Sequence, residues 1–374
     1  MTSRRLLILA IVAIVAIGAG VWLAGRESST GSSAGTSALY PKLKEQLNSV
    51  STVNMYKAAD AHVVELKKQG DDWTVSERDN YPADDAKVRK LLVAIADAKV
   101  YEQKTSNPAS YATLGVEDTK GKSATSLRIE LVGTPQPVNL IVGKQGVGGR
   151  STYVRRAGEP QSWLINATID TSSTPEAWLR KDIIDVGADR LQSATVTTKD
   201  AKPYTVAKAT RADANFSVDG LPKGKSLSAP TAANSVASAL TSLSLSDVRA
   251  ASAFQSTPAA AHATFKTFDG LIVEADGWVQ DNKHYVALRP SFDAAQAERF
   301  KVATTPAEEK KPEEKKGEAS TATKPEEPPK PAAPNVQEDA TKAATKLSGW
   351  VYEIPDYKYE ALFKPVDQLL AKGK

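Results

Sequence analysis

Two Gly-Lys-Ser triplets, three histidines and one glycine-rich run are the parts of this sequence whose residue types and spacing could do chemistry. Gly121-Lys122-Ser123 and Gly224-Lys225-Ser226 have the ending of a phosphate-binding loop. Such a loop wraps a phosphate in backbone N–H groups and needs another glycine five residues earlier. Those positions hold Val116 and Asp219, so both triplets read as turns. His62, His262 and His284 fit no HExxH motif and no pair at metal-ligand spacing. A metal site would need assembly from distant loops. No Gly-x-Ser-x-Gly elbow presents an activated serine. Carboxylates such as Asp84, Asp85 and Glu130 are plentiful, but no spacing selects a glycosidase pair. The absence of cysteine removes thiolate nucleophiles, cysteine-bound zinc and iron–sulfur clusters. The residues therefore read as a chain with no catalytic residue, no metal and no cofactor.

The run from Gly143 to Gly149 contains four glycines. It joins two strand-like stretches rather than a strand and a helix, so no dinucleotide fingerprint applies. A hairpin is the expectation, with Gly146, Gly148, Gly149 and Arg150 as a candidate contact tip. Trp350, Tyr352 and Tyr357 form a second candidate surface near the end of the chain. Trp73, Trp163, Trp178 and Trp350 read most simply as core residues.

The elements that must position these residues begin with an anchor. Arg4 and Arg5 precede an uncharged run from Leu6 to Ala24, which Arg26 and Glu27 close. In a helix these residues rise about 28 Å, close to the hydrocarbon thickness of a bilayer. Cations ahead of the span predict a cytoplasmic N-terminus and about 350 residues on the far side. The run is long for a cleaved signal peptide, and Trp22 and Leu23 occupy the best cleavage positions. A lipoprotein is excluded because no cysteine exists to carry the lipid. With 48 basic and 44 acidic residues, a net charge of +4 leaves no nucleic-acid footprint. An aromatic content of 6% is modest for an all-β carbohydrate binder.

Residues 27–55 read as a Ser/Gly/Thr tether and lead-in. A first α+β domain is expected over 56–188. A second is expected over 189–303 and 348–374, interrupted at 304–347 by a mostly disordered, Lys/Glu/Pro-rich insert whose low-complexity part runs from Thr304 to Asn335. Each domain reads as an antiparallel sheet with a packed helix. In the first, Ala61–Leu66 and Asp71–Val75 alternate like strands. Tyr81-Pro82-Ala83-Asp84 opens a helix carrying Val88, Leu91, Leu92 and Ile95. Strands at Ser126–Val132, Val138–Val142, Thr152–Arg156 and Ser162–Asn166 follow. In the second, Ala194–Thr197, Tyr204–Ala207 and Phe216–Val218 precede a helix opened by Pro230. Strands at His262–Thr267, Leu271–Ala275 and His284–Leu288 follow, with Asp269-Gly270 as a hairpin turn. Trp350–Ile354 is a strand, and Tyr357–Leu370 is a helix broken at Pro365. Val88, Leu92, Ile95 and Val100 map onto Val236, Leu240, Leu243 and Val248 at a constant offset of 148, which points to one design used twice.

Several stretches resemble a known family. They are Tyr81-Pro-Ala-Asp84, Glu102–Pro108 with Tyr111, Leu114-Gly-Val-Glu-Asp118, Ser162-Trp-Leu-Ile-Asn166, Trp178–Asp185 and Gly349–Tyr357. Their order is similar to that of bacterial membrane-anchored proteins grouped as domain of unknown function 4340. That family offers no catalytic residues to carry over. The resemblance implies an accessory subunit in the cell envelope, associated with ABC-type transport systems of the gliding-motility kind. The expected function is thus a non-enzymatic protein of the bacterial inner membrane, single-pass, with its bulk in the periplasm. Its expected partners are the membrane, through Leu6–Ala24, and an ABC permease or auxiliary transport subunits. A periplasmic binding module for peptidoglycan or polysaccharide is the first alternative, and an envelope hydrolase the second.

Overall fold

The computed structural model describes residues 37–199, 201–301 and 335–371. The anchor expected at Leu6–Ala24, the tether through Thr36 and residues 302–334 of the insert lie outside the described residues. Among the described residues no helix is long and apolar enough to cross a membrane. The chain divides into two compact units, 1–180 and 181–374. The architecture is α+β, with antiparallel sheets and few helices.

In the first unit the one-turn helix α1 (Leu43–Gln46) leads into β1 (Thr52–Lys57), β2 (Ala61–Gln69), β3 (Asp72–Val75) and the short β4 (Tyr81–Pro82). Helix α2 (Asp85–Ala96) and β5 (Val100–Gln103) follow, then the one-turn helix α3 (Tyr111–Leu114). A meander closes the unit: β6 (Leu127–Val132), β7 (Val138–Gln145), β8 (Thr152–Arg156) and β9 (Ser162–Ile165). Among the described residues these strands form one sheet in the order β4-β3-β2-β1-β6-β7-β8-β9-β5. In β6, Leu127, Ile129 and Leu131 are buried while Arg128 and Glu130 stay half-exposed, the period of two that puts one face on the core. Val88, Leu91, Leu92 and Ile95 make the buried stripe of α2. Each such side chain contributes about 2 kcal/mol of apolar burial. The Lys87 N–H donates to Asp84 Oδ1 at 3.0 Å and caps the helix.

Two expectations are corrected here. Pro82 does not enter the helix; it pairs with Thr74 in edge strand β4, a place that tolerates the missing N–H. Residues 52–55 are not lead-in: β1 lies between β2 and β6, with Val53 and Met55 fully buried. The chain is tied in earlier still. Leu39 N donates to Ala98 O and Val100 N to Ser37 O, both at 2.8 Å, along the outer side of β5.

The second unit opens with β10 (Asp182–Ile184), inside the stretch that the sequence assigns to the first domain. It continues with β11 (Leu191–Thr198), β12 (Tyr204–Ala207), β13 (Ser217–Asp219), the single turn α4 (Asn234–Ala237), β14 (Leu243–Ser244) and β15 (Asp247–Ala250). Then come β16 (Ala261–Thr267), β17 (Leu271–Gln280), β18 (Lys283–Phe292), α5 (Ala294–Arg299), α6 (Val336–Leu347), β19 (Trp350–Ile354) and α7 (Asp356–Leu362). The large sheet runs β13-β12-β11-β16-β17-β18-β19-β15, and β10 pairs separately with β14. Set β11, β12, β13, β15 and β16 to β19 beside β1, β2, β3, β5 and β6 to β9, and the two strand orders coincide, β4 aside. In both, the strand that precedes the last four, β5 or β15, crosses to the edge beyond the last of them.

The helix expected after Pro230 shrinks to α4, and Leu243 becomes a strand residue. Ser235 and Ser238 turn their hydroxyls onto Ala232 O and Ser235 O at 3.1 and 3.2 Å, a local competition that shortens helices. Val236, Leu240 and Leu243 are nonetheless buried. The long helix against this sheet is α6, packed along β18, within the range expected to be insert. Asn335 caps it, accepting from Glu338 N at 3.3 Å, and Ala340 and Leu347 are buried. After α7, a 3-10 turn over Val366–Leu369 follows Pro365, the break that the sequence predicts.

Candidate interaction surface

Most of the side chains that could do chemistry are held by structural partners. Asp84 caps α2, as described above. Asp85 accepts from Trp73 N at 2.8 Å and from Arg180 Nη2 at 2.7 Å. Glu130 accepts from the Tyr56 hydroxyl at 3.2 Å. Both Gly-Lys-Ser triplets are turns: Gly121 N donates to Asp118 O at 3.2 Å, and Lys225 N to Pro222 O at 3.1 Å. The His62 ring lies 5.0 Å from that of Tyr56. His284 Nδ1 is 2.8 Å from Asp356 Oδ1, and its ring stacks at 4.5 Å on Tyr359, whose hydroxyl burial pushes up to about 12.

His262 makes the most enzyme-like contact, with Nδ1 2.5 Å from Asp276 Oδ1. Arg289 Nη1 donates to the other oxygen of the same carboxylate at 2.5 Å. Burial alone would raise the Asp276 carboxyl; the hydrogen bonds from Arg289 and His262 outweigh it and hold the group below the usual carboxylate range. Among the described residues no three His, Asp or Glu side chains are grouped to hold a metal ion.

The hairpin between β7 and β8 is built differently. Gly146 N donates to Ser151 O at 2.9 Å and Gly149 N to Gly146 O at 3.1 Å, which closes the tip. Gly148 and Gly149 hold φ of 84° and 70°, the left-handed region that glycine enters without steric cost. Val147, between Gly146 and Gly148, is fully exposed. A cavity of about 450 Å³ opens beside the tip, lined by Tyr101, Lys104, Val147, Arg150, Tyr153 and Leu164. Tyr101 is 61% exposed. Lys104 Nζ lies 2.6 Å from Glu102 Oε2 and 5.8 Å from the Tyr153 ring. Sequence reasoning named Gly146, Gly148, Gly149 and Arg150 but missed Tyr101, Tyr153 and Leu164. These reach the cleft because β9 pairs with both β8 and β5, an adjacency that no local pattern announces.

The second candidate set, in the other unit, divides. Tyr352 is fully buried, opposite Val286 and Val248 in the register of β19, and is a core residue rather than a surface one. Trp350 is half-buried, and Tyr357 is exposed on the first turn of α7. Trp73 and Trp178 are core, while Trp163 is half-buried.

Stretches that carry the resemblance act as braces. The loop from Leu114 to Asp118 meets Arg155 of β8, which is 2% exposed. Arg155 Nε donates to Val116 O at 2.8 Å and Nη1 to Glu159 O at 3.0 Å, and the guanidinium lies 4.5 Å from the Tyr111 ring. Its Nη2 is 2.9 Å from Asp118 Oδ1, an ion pair without hydrogen-bond alignment. Ser162 Oγ donates to Thr105 O at 2.6 Å. Trp178 is fully buried under Lys87 and donates from Nε1 to Ser172 O at 3.0 Å. The family model described as Domain of unknown function (DUF4340) matches residues 73–266. This chain belongs to the DUF4340 family. No curated protein and no solved structure matches it. The DUF4340 match runs from β3 to β16, so it takes in α2, the Arg155 brace and the whole hairpin cleft.

Proposed function

We propose that this DUF4340 protein is a non-enzymatic accessory protein of the bacterial inner membrane. Leu6–Ala24 holds it there, both units are periplasmic, and it engages an ABC-type permease, an auxiliary transport subunit or another envelope assembly. One observation carries the reading. The acids and histidines that could work as catalysts are tied into caps, ion pairs and stacks, whereas exposed apolar side chains and Arg150 gather at the β7–β8 hairpin. That distribution suits contact rather than turnover. We also infer that the two units are copies of one design, a reading supported by their common strand order and by three buried pairs at the offset of 148, Val88/Val236, Leu92/Leu240 and Ile95/Leu243. Crosslinking in cells, followed by mass spectrometry of the solubilised full-length protein, tests the function. Reproducible links from residues beyond 38 to permease or auxiliary subunits support it; a protein recovered alone despite crosslinking counts against it.

The cleft itself favours a second reading, a binding module for peptidoglycan or polysaccharide. Tyr101 and Tyr153 offer ring faces and Arg150 a charged donor. Sedimentation with purified wall material, lost on Tyr101→Ala with Tyr153→Ala, would favour this alternative.

A further inference from the structure

The hairpin cleft lies where the chain leaves the first unit toward its N-terminus. Ser37 O accepts from Val100 N, the residue beside Tyr101. Only residues 25–36 separate Ser37 from the end of the apolar run at Ala24. Twelve residues reach at most about 40 Å. The edge of the unit carrying Tyr101 is therefore held within a short reach of whatever surface the anchor occupies.

We propose that this edge docks on the anionic headgroup surface of the bilayer, with Tyr101 and Val147 entering the interface and Lys99 and Arg150 facing lipid phosphates. The proposal rests on the reading of Leu6–Ala24 as a membrane anchor. Val147 and Tyr101 are among the most exposed large apolar side chains of the unit. Tyrosine suits the interface because its ring is apolar and its hydroxyl is wet. Neither Lys99 nor Arg150 has an ion-pair partner among the described residues, so both charges are available to phosphate. The salt bridge to Glu102 neutralises Lys104, which adds little. The hairpin tip projects from one end of β7. The other end, near Val132 and Val138, lies about 25 Å away along the strand.

The chain has no cysteine, so Val147→Cys and Val132→Cys each place a single bimane on the full-length protein. Each labelled protein is reconstituted in phosphatidylcholine vesicles with or without phosphatidylglycerol, carrying a nitroxide-lipid quencher. Quenching at position 147 but not at 132, strengthened by phosphatidylglycerol, is the expected result. Arg150→Ala should lower the docked fraction about fivefold, the worth of one cation at an anionic surface. Equal quenching at the two positions, or none at 147 in protein that floats with the vesicles, overturns the docking while leaving the anchor intact. Protein that fails to float overturns both.

Discussion

Arg155→Met should unfold the first unit selectively, and the structure sets the size of the loss. Methionine fills much of the volume but donates nothing, so Val116 O and Glu159 O lose buried partners held at 2.8 and 3.0 Å. Hydrogen bonds from a charged donor contribute about 1.5–3 kcal/mol each. The contact with the Tyr111 ring adds about 1 kcal/mol. Asp118 is 60% exposed on its side chain and rehydrates when the arginine leaves, so its ion pair counts for well under 1 kcal/mol. Allowing for the packing that methionine restores, the expected cost is about 4 kcal/mol, against a typical domain stability of about 5–15 kcal/mol. With a urea slope of about 2 kcal/mol/M, the midpoint falls by about 2 M. The assay is urea unfolding of residues 37–374 with amide hydrogen exchange read by peptide. Peptides over 111–118 and 152–156 should lose protection first, and Arg155→Lys should fall between wild type and Arg155→Met. A loss below about 1 kcal/mol would refute the reasoning, as would equal loss of protection in residues 181–301.

Other substitutions test separate parts of the argument. Gly143→Val places a Cβ 2.4 Å from Leu114 O and 2.8 Å from Gly115 O. Backbone cannot yield there, so stability should drop by more than about 2 kcal/mol, whereas Gly148→Ala, with open space around it, should cost only about 1 kcal/mol for its left-handed backbone. In the second unit, burial raises the Asp269 carboxyl but Arg190 and Thr267 hold it below its ordinary value. Its stabilisation is then full above the unfolded pKa of about 3.9 and lost as pH falls through the lower folded value. Asp269→Asn should lower stability at neutral pH, and its curve should converge on wild type in an acid titration below about pH 4. Because α6 packs along β18, Leu347→Ala should cost about 3 kcal/mol and loss of the Asn335 cap in Asn335→Ala about 1 kcal/mol, both measured by thermal unfolding.

Much of the local structure was legible because it depends on neighbours in sequence. The alternation of Leu127, Ile129 and Leu131 reports which face of β6 is buried. Asp84 ahead of an i, i+3, i+4, i+7 stripe reports a capped helix, and Asp269-Gly270 reports a tight turn between two strands. The helix expected after Pro230 contracts to one turn because its apolar spacing is helical while its serines prefer turns. Helix α6 was hidden by the composition of the preceding segment, although Asn335 with Glu338 is a readable cap.

By itself the sequence determined that no thiolate or disulfide takes part. It determined which faces of the strands are apolar and where the glycine-rich hairpin tip would stand. Only the tertiary structure decided that β5 crosses the sheet to pair with β9, which brings Tyr101 to the tip at Val147 and Arg150. It also decided that Tyr352, whose aromatic ring suggested a surface, is core between β18 and β15. Periodicity specifies the face on which a side chain lies, but hydrogen-bonding partners come from distant parts of the chain. A site assembled across strands is therefore set by the order of the sheet, which no local pattern encodes.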